Sequence, residues 1–257
     1  MSQMGRALQI ARVDLSYFFR TKWLLATLIA LNITDMLVVG LVYRGMMSFD
    51  YFAFFVPGVV ISGLFFASFD VGRRVHLGLT EGVSQYYLTL PVSLNGLVWA
   101  HLLSAGLGGA IYAGILLLVA SVFLPQLISV YTLSLLPVMF ILSMGLAGIA
   151  AVLNIFSTAG ERYFVFAEGI QTAMVSLSTI AYPIAFVKPF FPSYLLPIVE
   201  LNPLTQGAEV LRSVIPGSSA SGVFSLEWLL ITSLALLAVG VVSYRHVFTR
   251  LREVGKI

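Results

Sequence analysis

The chain alternates between long apolar stretches and short polar interruptions. Six apolar stretches are long enough to cross a bilayer as helices, at about residues 23–43, 51–69, 97–124, 131–153, 160–187 and 226–244. Apolar residues run continuously within each stretch, which predicts helices and not alternating strands. We therefore predict an all-α polytopic membrane protein whose 257 residues form a single transmembrane domain.

The longest polar interruption of the N-terminal half covers residues 70–95, between the second and third spans. Within it we expect a short helix that lies across the membrane surface, with Thr80 as its N-cap and Pro91 as its end. The apolar side of this helix would consist of Val83, Tyr86, Tyr87 and Leu90. Two tyrosines on a surface segment favour a partner protein over a solvated connection.

Residues 4–20 predict an amphipathic helix ahead of the first span. Its apolar face would hold Met4, Leu8, Ala11, Leu15, Phe18 and Phe19. Its polar face would hold Gln9, Arg12, Ser16 and Arg20. A basic polar face is typical of a helix in the cytoplasmic headgroup layer, and the alternative is a plain linker.

Residues 188–225 are too interrupted to form a span and too apolar for an exposed loop. Five of the ten prolines fall here. Asn202 and Pro203 predict a sharp helix start, because asparagine caps well and proline lacks the N–H that would be unbonded at the first position. We expect two short, half-buried helices that enter the outer leaflet as a re-entrant hairpin.

Lysine and arginine predict the orientation of the spans. With the N terminus inside, eleven of the fourteen basic residues lie on the cytoplasmic side, and only Arg44, Lys188 and Arg212 lie outside. This asymmetry predicts that both termini and residues 70–95 are cytoplasmic, and that residues 188–225 face out. Because the basic residues lie at span ends, they do not indicate a nucleic-acid partner.

Composition and motifs exclude most chemistry on this chain. Charged residues make up 10% of the sequence, whereas roughly 25% is usual in soluble domains. There is no cysteine, no phosphate-binding loop, no zinc-protease motif and no serine nucleophile motif, and the three histidines are scattered. We therefore predict no catalytic residue, no metal site and no cofactor on this chain, which is not an enzyme by itself.

The order of these features resembles the permease subunit of ABC-2 type ABC transporters, which have the type V exporter fold. Besides the N-terminal helix and the six spans, the resemblance depends on three motifs. They are Y-F-x-F-F-V-P-G at Tyr51–Gly58, L-G-L-T-E-G…L-T-L-P-V-S at Leu77–Ser93, and L-N-P-L-T-Q-G-A-E-V-L-R at Leu201–Arg212. One departure is that the family loop usually reads closer to G-T-x-E-x-L before T-P-x-S.

The resemblance implies a homodimer in the plasma or inner membrane, with two copies of a separate ATP-binding subunit that hold ATP and Mg. Closure of those subunits would move the surface helix and switch the spans from inward- to outward-facing. The coupling residues would be Glu81, Gly82, Val83, Ser84, Gln85, Tyr86 and Tyr87. Arg6 and Arg12 would brace the ATP-binding subunit from the side.

The same resemblance gives roles to polar residues in and near the spans. Asn32 and Asp35, three apart and so on one face, would line the path between protomers, or else form a hydrogen bond within one protomer. Glu168 is expected to pair with a cytoplasmic arginine such as Arg73 or Arg74. The hairpin would act as an outer gate or dimer contact, with the candidates Asn202, Pro203, Glu209 and Arg212, of which the last two would pair locally.

We expect an exporter of a hydrophobic or amphiphilic, drug- or lipid-like substrate, because the path offers few groups to recognise a sugar or an ion. The first alternative is export of a polysaccharide or lipid-linked glycan. An alternative of another class is an ion-coupled carrier or channel in which Asp35 and Glu168 carry the ion. A third is a non-transporting membrane anchor for a signalling ATPase.

Overall fold

The computed structural model describes residues 3–20, 22–80, 92–156, 160–216, 218 and 224–253. Within these ranges the chain is helical and holds no β-strand, which confirms the all-α prediction. The helices are α1 (Gln3–Arg20), α2 (Lys22–Thr34), α3 (Gly40–Arg44), α4 (Tyr51–Thr80), α5 (Leu94–Ser121), α6 (Val130–Phe156), α7 (Gly160–Ser176), α8 (Ile184–Val187), α9 (Leu196–Leu201), α10 (Pro203–Arg212) and α11 (Leu226–Glu253). A π-helical segment, Asp35–Val39, joins α2 to α3, and a 3-10 turn, Pro125–Leu127, lies between α5 and α6.

Five helical segments of the described chain are long and apolar enough to cross a membrane. They are Leu25–Arg44, Tyr51–Arg73, Leu94–Ser121, Val130–Leu153 and Leu226–Arg250. Each coincides with one of the predicted spans. The structure therefore supports a membrane protein built from long apolar helices.

The fifth predicted span, residues 160–187, is wrong in its extent. Helix α7 ends at Ser176, and its 17 residues measure roughly 26 Å. Beyond it the backbone amide of Thr179 donates to Thr205 Oγ1 in α10 at 3.1 Å instead of continuing the helix. Bonds to a distant segment thus replace the helical bonds that the apolar pattern predicted.

Helix α4 forms the centre of the described part. Its first two-thirds are buried on all sides, as expected for a helix that is apolar all round. Glycines let neighbouring backbone approach it closely. A Cβ on Gly58 would lie 2.6 Å from the Ile180 carbonyl oxygen, and a Cβ on Gly72 would lie 2.6 Å from that of Ala147.

The polar segment 70–95 does not begin as a loop, which corrects the prediction. Helix α4 continues through its first part to Thr80. The short surface helix predicted between Thr80 and Pro91 lies outside the described residues. Gly72, near the start of the segment, packs against α6. Ser93 caps α5 by accepting a hydrogen bond from the Gly96 amide at 3.1 Å.

Helices α6 and α11 approach each other through glycine. A Cβ on Gly240 would lie 2.9 Å from the Cα of Gly148, and one on Gly145 would lie 2.7 Å from Leu236 Cβ. Glycines at a contact between apolar helices let the two backbones approach closely. In α5, Gly106 and Gly109 are close to α6, whereas Gly114 has no atom within 4 Å of its Cβ position.

Candidate functional site

Arg212, at the end of α10, is the most deeply buried charged residue among those described, with 0% of its surface exposed. Its Nε donates to the Phe54 carbonyl oxygen at 2.8 Å, and its Nη2 donates to the carbonyls of Thr179 at 2.7 Å and Ile180 at 3.0 Å. Its Nη1 donates to Glu209 Oε1 at 2.8 Å. The guanidinium also lies 3.5 Å from the centre of the Phe54 ring. We call these five residues the outer clamp, after the side of the membrane that the sequence predicts for α10.

The outer clamp contains the Glu209–Arg212 pair that the i,i+3 spacing predicts, and both partners are buried. Burial lowers the pKa of Arg212 to about 10, while the neighbouring Glu209 carboxylate acts to raise it. Arg212 therefore stays positively charged at neutral pH. Because its donors reach three chain segments, this one side chain joins α10 to the start of α4 and to the turn after α7.

The Asn202 side chain caps two helices, the start of α10 and the end of α7. Its Oδ1 accepts from the Leu204 amide at 3.0 Å, and Pro203 follows at the first helical position, so the predicted start of α10 is confirmed. Its Nδ2 donates to the carbonyls of Met174 at 2.7 Å and Leu177 at 2.8 Å. These carbonyls lie at the carboxyl end of α7, and this second cap was not visible in the sequence.

We expect Asn202→Asp to destabilise the carboxyl end of α7 by about 1–3 kcal/mol. The variant keeps the acceptor for Leu204, but it loses both donors and places a negative charge beside two carbonyls. Thermal unfolding in detergent measures the effect. Ser193→Asp, which adds a carboxylate at an exposed position of the same region, is the control and should leave the melting temperature unchanged. Equal behaviour of the two variants would refute the double-cap role.

The two path candidates of the first span differ in their surroundings. Asn32 Nδ2 donates to Tyr112 Oη on α5 at 2.9 Å and to the Leu28 carbonyl at 2.8 Å. This is the interhelical bond within one protomer that the sequence left open as an alternative. Asp35 is exposed and begins the π-helical segment, and its carboxylate has no hydrogen bond or ion pair with any residue that the structure describes. Their role in a path stays a prediction.

Helix α1 is attached to the bundle through a pair that the sequence did not reveal. His101 Nδ1 on α5 donates to Asp14 Oδ2 at 2.7 Å. The imidazole also stacks on Tyr244 and Phe248 of α11, with ring centres 6.3 and 6.0 Å away. The partners are 87 residues apart, so no local pattern could have paired them.

The faces of α1 are rotated relative to the prediction. The buried side holds Ala7, Ile10, Ala11 and Phe18, whereas Met4 and Leu8 are 68% and 53% exposed. The predicted polar side is exposed, as expected. Its residues Gln9, Arg12, Ser16 and Arg20, together with Val13, line a shallow groove of about 490 Å³. Arg6 and Arg12 lie on this helix, and their contact with an ATP-binding subunit stays a prediction.

We expect Asp14→Ala to speed amide hydrogen exchange in α1 by about tenfold to a hundredfold, because a partly buried hydrogen bond to a charged group is lost. The measurement is exchange followed by mass spectrometry. Asp50→Ala removes the exposed Arg44–Asp50 pair and serves as the control, with no change expected in α1. If Asp14→Ala leaves α1 exchange as it is, the attachment depends on apolar packing alone.

Of the remaining predicted sites, the structure describes the Glu168 pair and does not describe the coupling residues. Glu168 Oε1 lies 3.9 Å from Arg73 Nη1, so the predicted pairing with Arg73 is present as a long, exposed contact of small energy. The coupling residues Glu81, Gly82, Val83, Ser84, Gln85, Tyr86 and Tyr87 lie outside the described residues. Among the described residues no group of His, Cys, Asp and Glu could hold a metal ion.

The sequence matches no protein-family model and no curated protein.

Proposed function

We propose that the chain is the permease subunit of an ABC-2 type exporter, which forms a homodimer and is driven by two copies of a separate ATP-binding subunit. The observation that supports this most is the burial of residues 203–212, which belong to one of the three motifs that resemble the family. All ten residues of α10 are buried, so this stretch is not an exposed loop. A short, buried helix on the proposed outer side, together with a long polar segment on the proposed cytoplasmic side, fits an alternating-access permease.

The finer architecture is part of the proposal. Helix α7 would be the fifth of six spans, although its length is less than the roughly 30 Å of a bilayer core. Helices α8 to α10 would form a re-entrant hairpin that occupies the part of the bilayer core that α7 does not reach. The outer clamp would shield the backbone of this hairpin from lipid. Six spans would place both termini in the cytoplasm.

The proposed force pathway begins at the cytoplasmic surface. The ATP-binding subunit would hold residues 81–87 and contact α1 at Arg6 and Arg12. Exposed Met4 and Leu8 would lie in the acyl boundary, with Arg12 and Arg20 in the headgroup layer. The Asp14–His101 pair would then carry movement of α1 to α5 and α11.

The proposed substrate is hydrophobic or amphiphilic, and it would pass between the two protomers. The surface of the first span supports this location. Leu31, Val38, Leu41 and Val42 are all exposed there, so a wide apolar face is available for a second protomer and for substrate.

Single-cysteine variants test the proposal, since the chain contains no cysteine of its own. Tyr86→Cys should react with a membrane-impermeant maleimide only from the cytoplasmic side, and should cross-link to an ATP-binding subunit encoded beside the permease gene. Ser193→Cys, on the proposed outer side, should react only from outside and form no cross-link. Labelling of Tyr86→Cys from outside would contradict the proposal.

The second candidate is an ion-coupled carrier, and the unpartnered Asp35 is the observation that favours it. In that case Asp35→Asn would abolish transport driven by an ion gradient in the absence of any ATP-binding subunit. An ATP-driven exporter would retain at least part of its ATP-dependent transport in the same variant.

A further inference from the structure

The exposed face of the first span contains one polar side chain whose bonding needs are unmet. Thr27 Oγ1 donates to the Trp23 carbonyl and Thr34 Oγ1 to the Ala30 carbonyl, each at 2.8 Å. These hydroxyls are therefore satisfied within their own helix. The carboxylate of Asp35 on the same face has no hydrogen bond or ion pair with any described residue.

Asp35 also lies deep within the span. It is thirteen residues after Lys22 and nine before Arg44, which corresponds to roughly 20 Å and 14 Å along the helix. A carboxylate at this depth that faced only lipid would cost several kcal/mol. A positive group brought close to the carboxylate would offset this cost, and no described residue of the protomer provides one.

The backbone is also irregular at Asp35. The Gly40 amide donates to the Asp35 carbonyl, which makes Asp35 the first residue of a π-helical segment. Such segments occur frequently at functional sites, because they interrupt the regular helical bonding. Two independent features, an unmet carboxylate and an irregular backbone, thus coincide at one residue.

A second copy of this chain that packs against the first through the five candidate spans brings no lysine or arginine opposite Asp35. The five candidate spans carry lysine and arginine only at or near their ends. A symmetric contact between protomers would therefore bring apolar side chains or a second Asp35 opposite the first. A mobile group that carries a positive charge and is stable among apolar side chains would supply the counter-charge at this depth.

We infer that Asp35 is the recognition site for a lipophilic cation, that is, an apolar molecule with a positively charged nitrogen or phosphorus centre. The apolar part would contact the exposed neighbours Leu31 and Val38, one turn away on either side. The charge would meet the carboxylate, where the low dielectric strengthens the attraction. This inference names the substrate class of the proposed exporter and rests on that proposal only for the direction of transport.

Binding of tetraphenylphosphonium to the full chain in lipid nanodiscs tests the inference by equilibrium dialysis, with empty nanodiscs as background. Asp35→Asn should weaken binding at least tenfold. Asp35→Glu should retain it, and so should Asp50→Asn, which removes an exposed carboxylate outside the spans. Tetraphenylborate, an anion of nearly the same shape, should show no loss of binding in Asp35→Asn.

Equal affinity of the wild type and Asp35→Asn for tetraphenylphosphonium would overturn the inference, as would absence of binding to the wild type. A change in dimer dissociation alone, with binding unaltered, would also overturn it and make Asp35 an interface residue. Size-exclusion profiles show which variants are folded. No ATP-binding subunit is present in this experiment, so its outcome is separate from that of the cross-linking test.

Discussion

Replacing Arg212 with methionine is expected to lower the stability of the protein by about 3–5 kcal/mol. The change leaves the Glu209 carboxylate buried without its partner and removes donors to the carbonyls of Phe54, Thr179 and Ile180. For a chain of this size the loss corresponds to a fall in melting temperature of roughly 10 °C or more. Thermal unfolding in detergent, followed by intrinsic fluorescence, measures it.

Two further variants make the test specific. Arg44→Met removes the exposed partner of Asp50 and should cost less than about 1 kcal/mol. Arg212→Lys should not restore stability, because an ammonium group cannot reach three carbonyls and a carboxylate with the planar fork of a guanidinium. A melting temperature of Arg212→Met equal to that of Arg44→Met would show that the outer clamp is not a stabilising element.

Gly148→Leu is expected to separate α6 from α11 and to lower stability by about 3 kcal/mol. A Cβ on either Gly148 or Gly240 meets the backbone of the other helix, which cannot move aside as a flexible side chain could. The loss should appear both as a lower melting temperature and as a smaller monodisperse peak on size-exclusion chromatography.

Gly114→Ala provides the matched control within a span. No atom of the described protomer lies within 4 Å of its Cβ position, so alanine should be neutral or should stabilise the helix by up to about 1 kcal/mol. If Gly148→Leu were as stable as Gly114→Ala, the close approach of α6 and α11 would not exist in the protein.

The long helices were predictable because their signal is local. Continuous apolar runs fixed the location of five candidate spans, and Asn202 with Pro203 fixed the start of α10, because capping depends on neighbouring residues only. The Glu209–Arg212 pair followed from helical spacing alone. Helical spacing did not predict that both members of this pair are buried.

The errors arose where distant contacts decide the outcome. Helix α7 stops at Ser176 because Thr179 bonds to Thr205, a contact that no local pattern encodes. Helix α4 extends beyond its apolar residues to Thr80. The end of an apolar stretch indicates where a span leaves the membrane, and the helix can continue past that point. Asn32 bonds to Tyr112, which is 80 residues away in the sequence, so the spacing of residues within the first span could not identify its partner.

Transport by the reconstituted chain, with and without its ATP-binding subunit, tests the central claim most directly. Vesicles would be loaded with a panel of lipophilic dyes, and an imposed ion gradient or ATP would serve as the energy source. The proposal predicts dye movement only when the ATP-binding subunit and ATP are both present. Movement driven by an ion gradient in vesicles that hold this chain alone would contradict it.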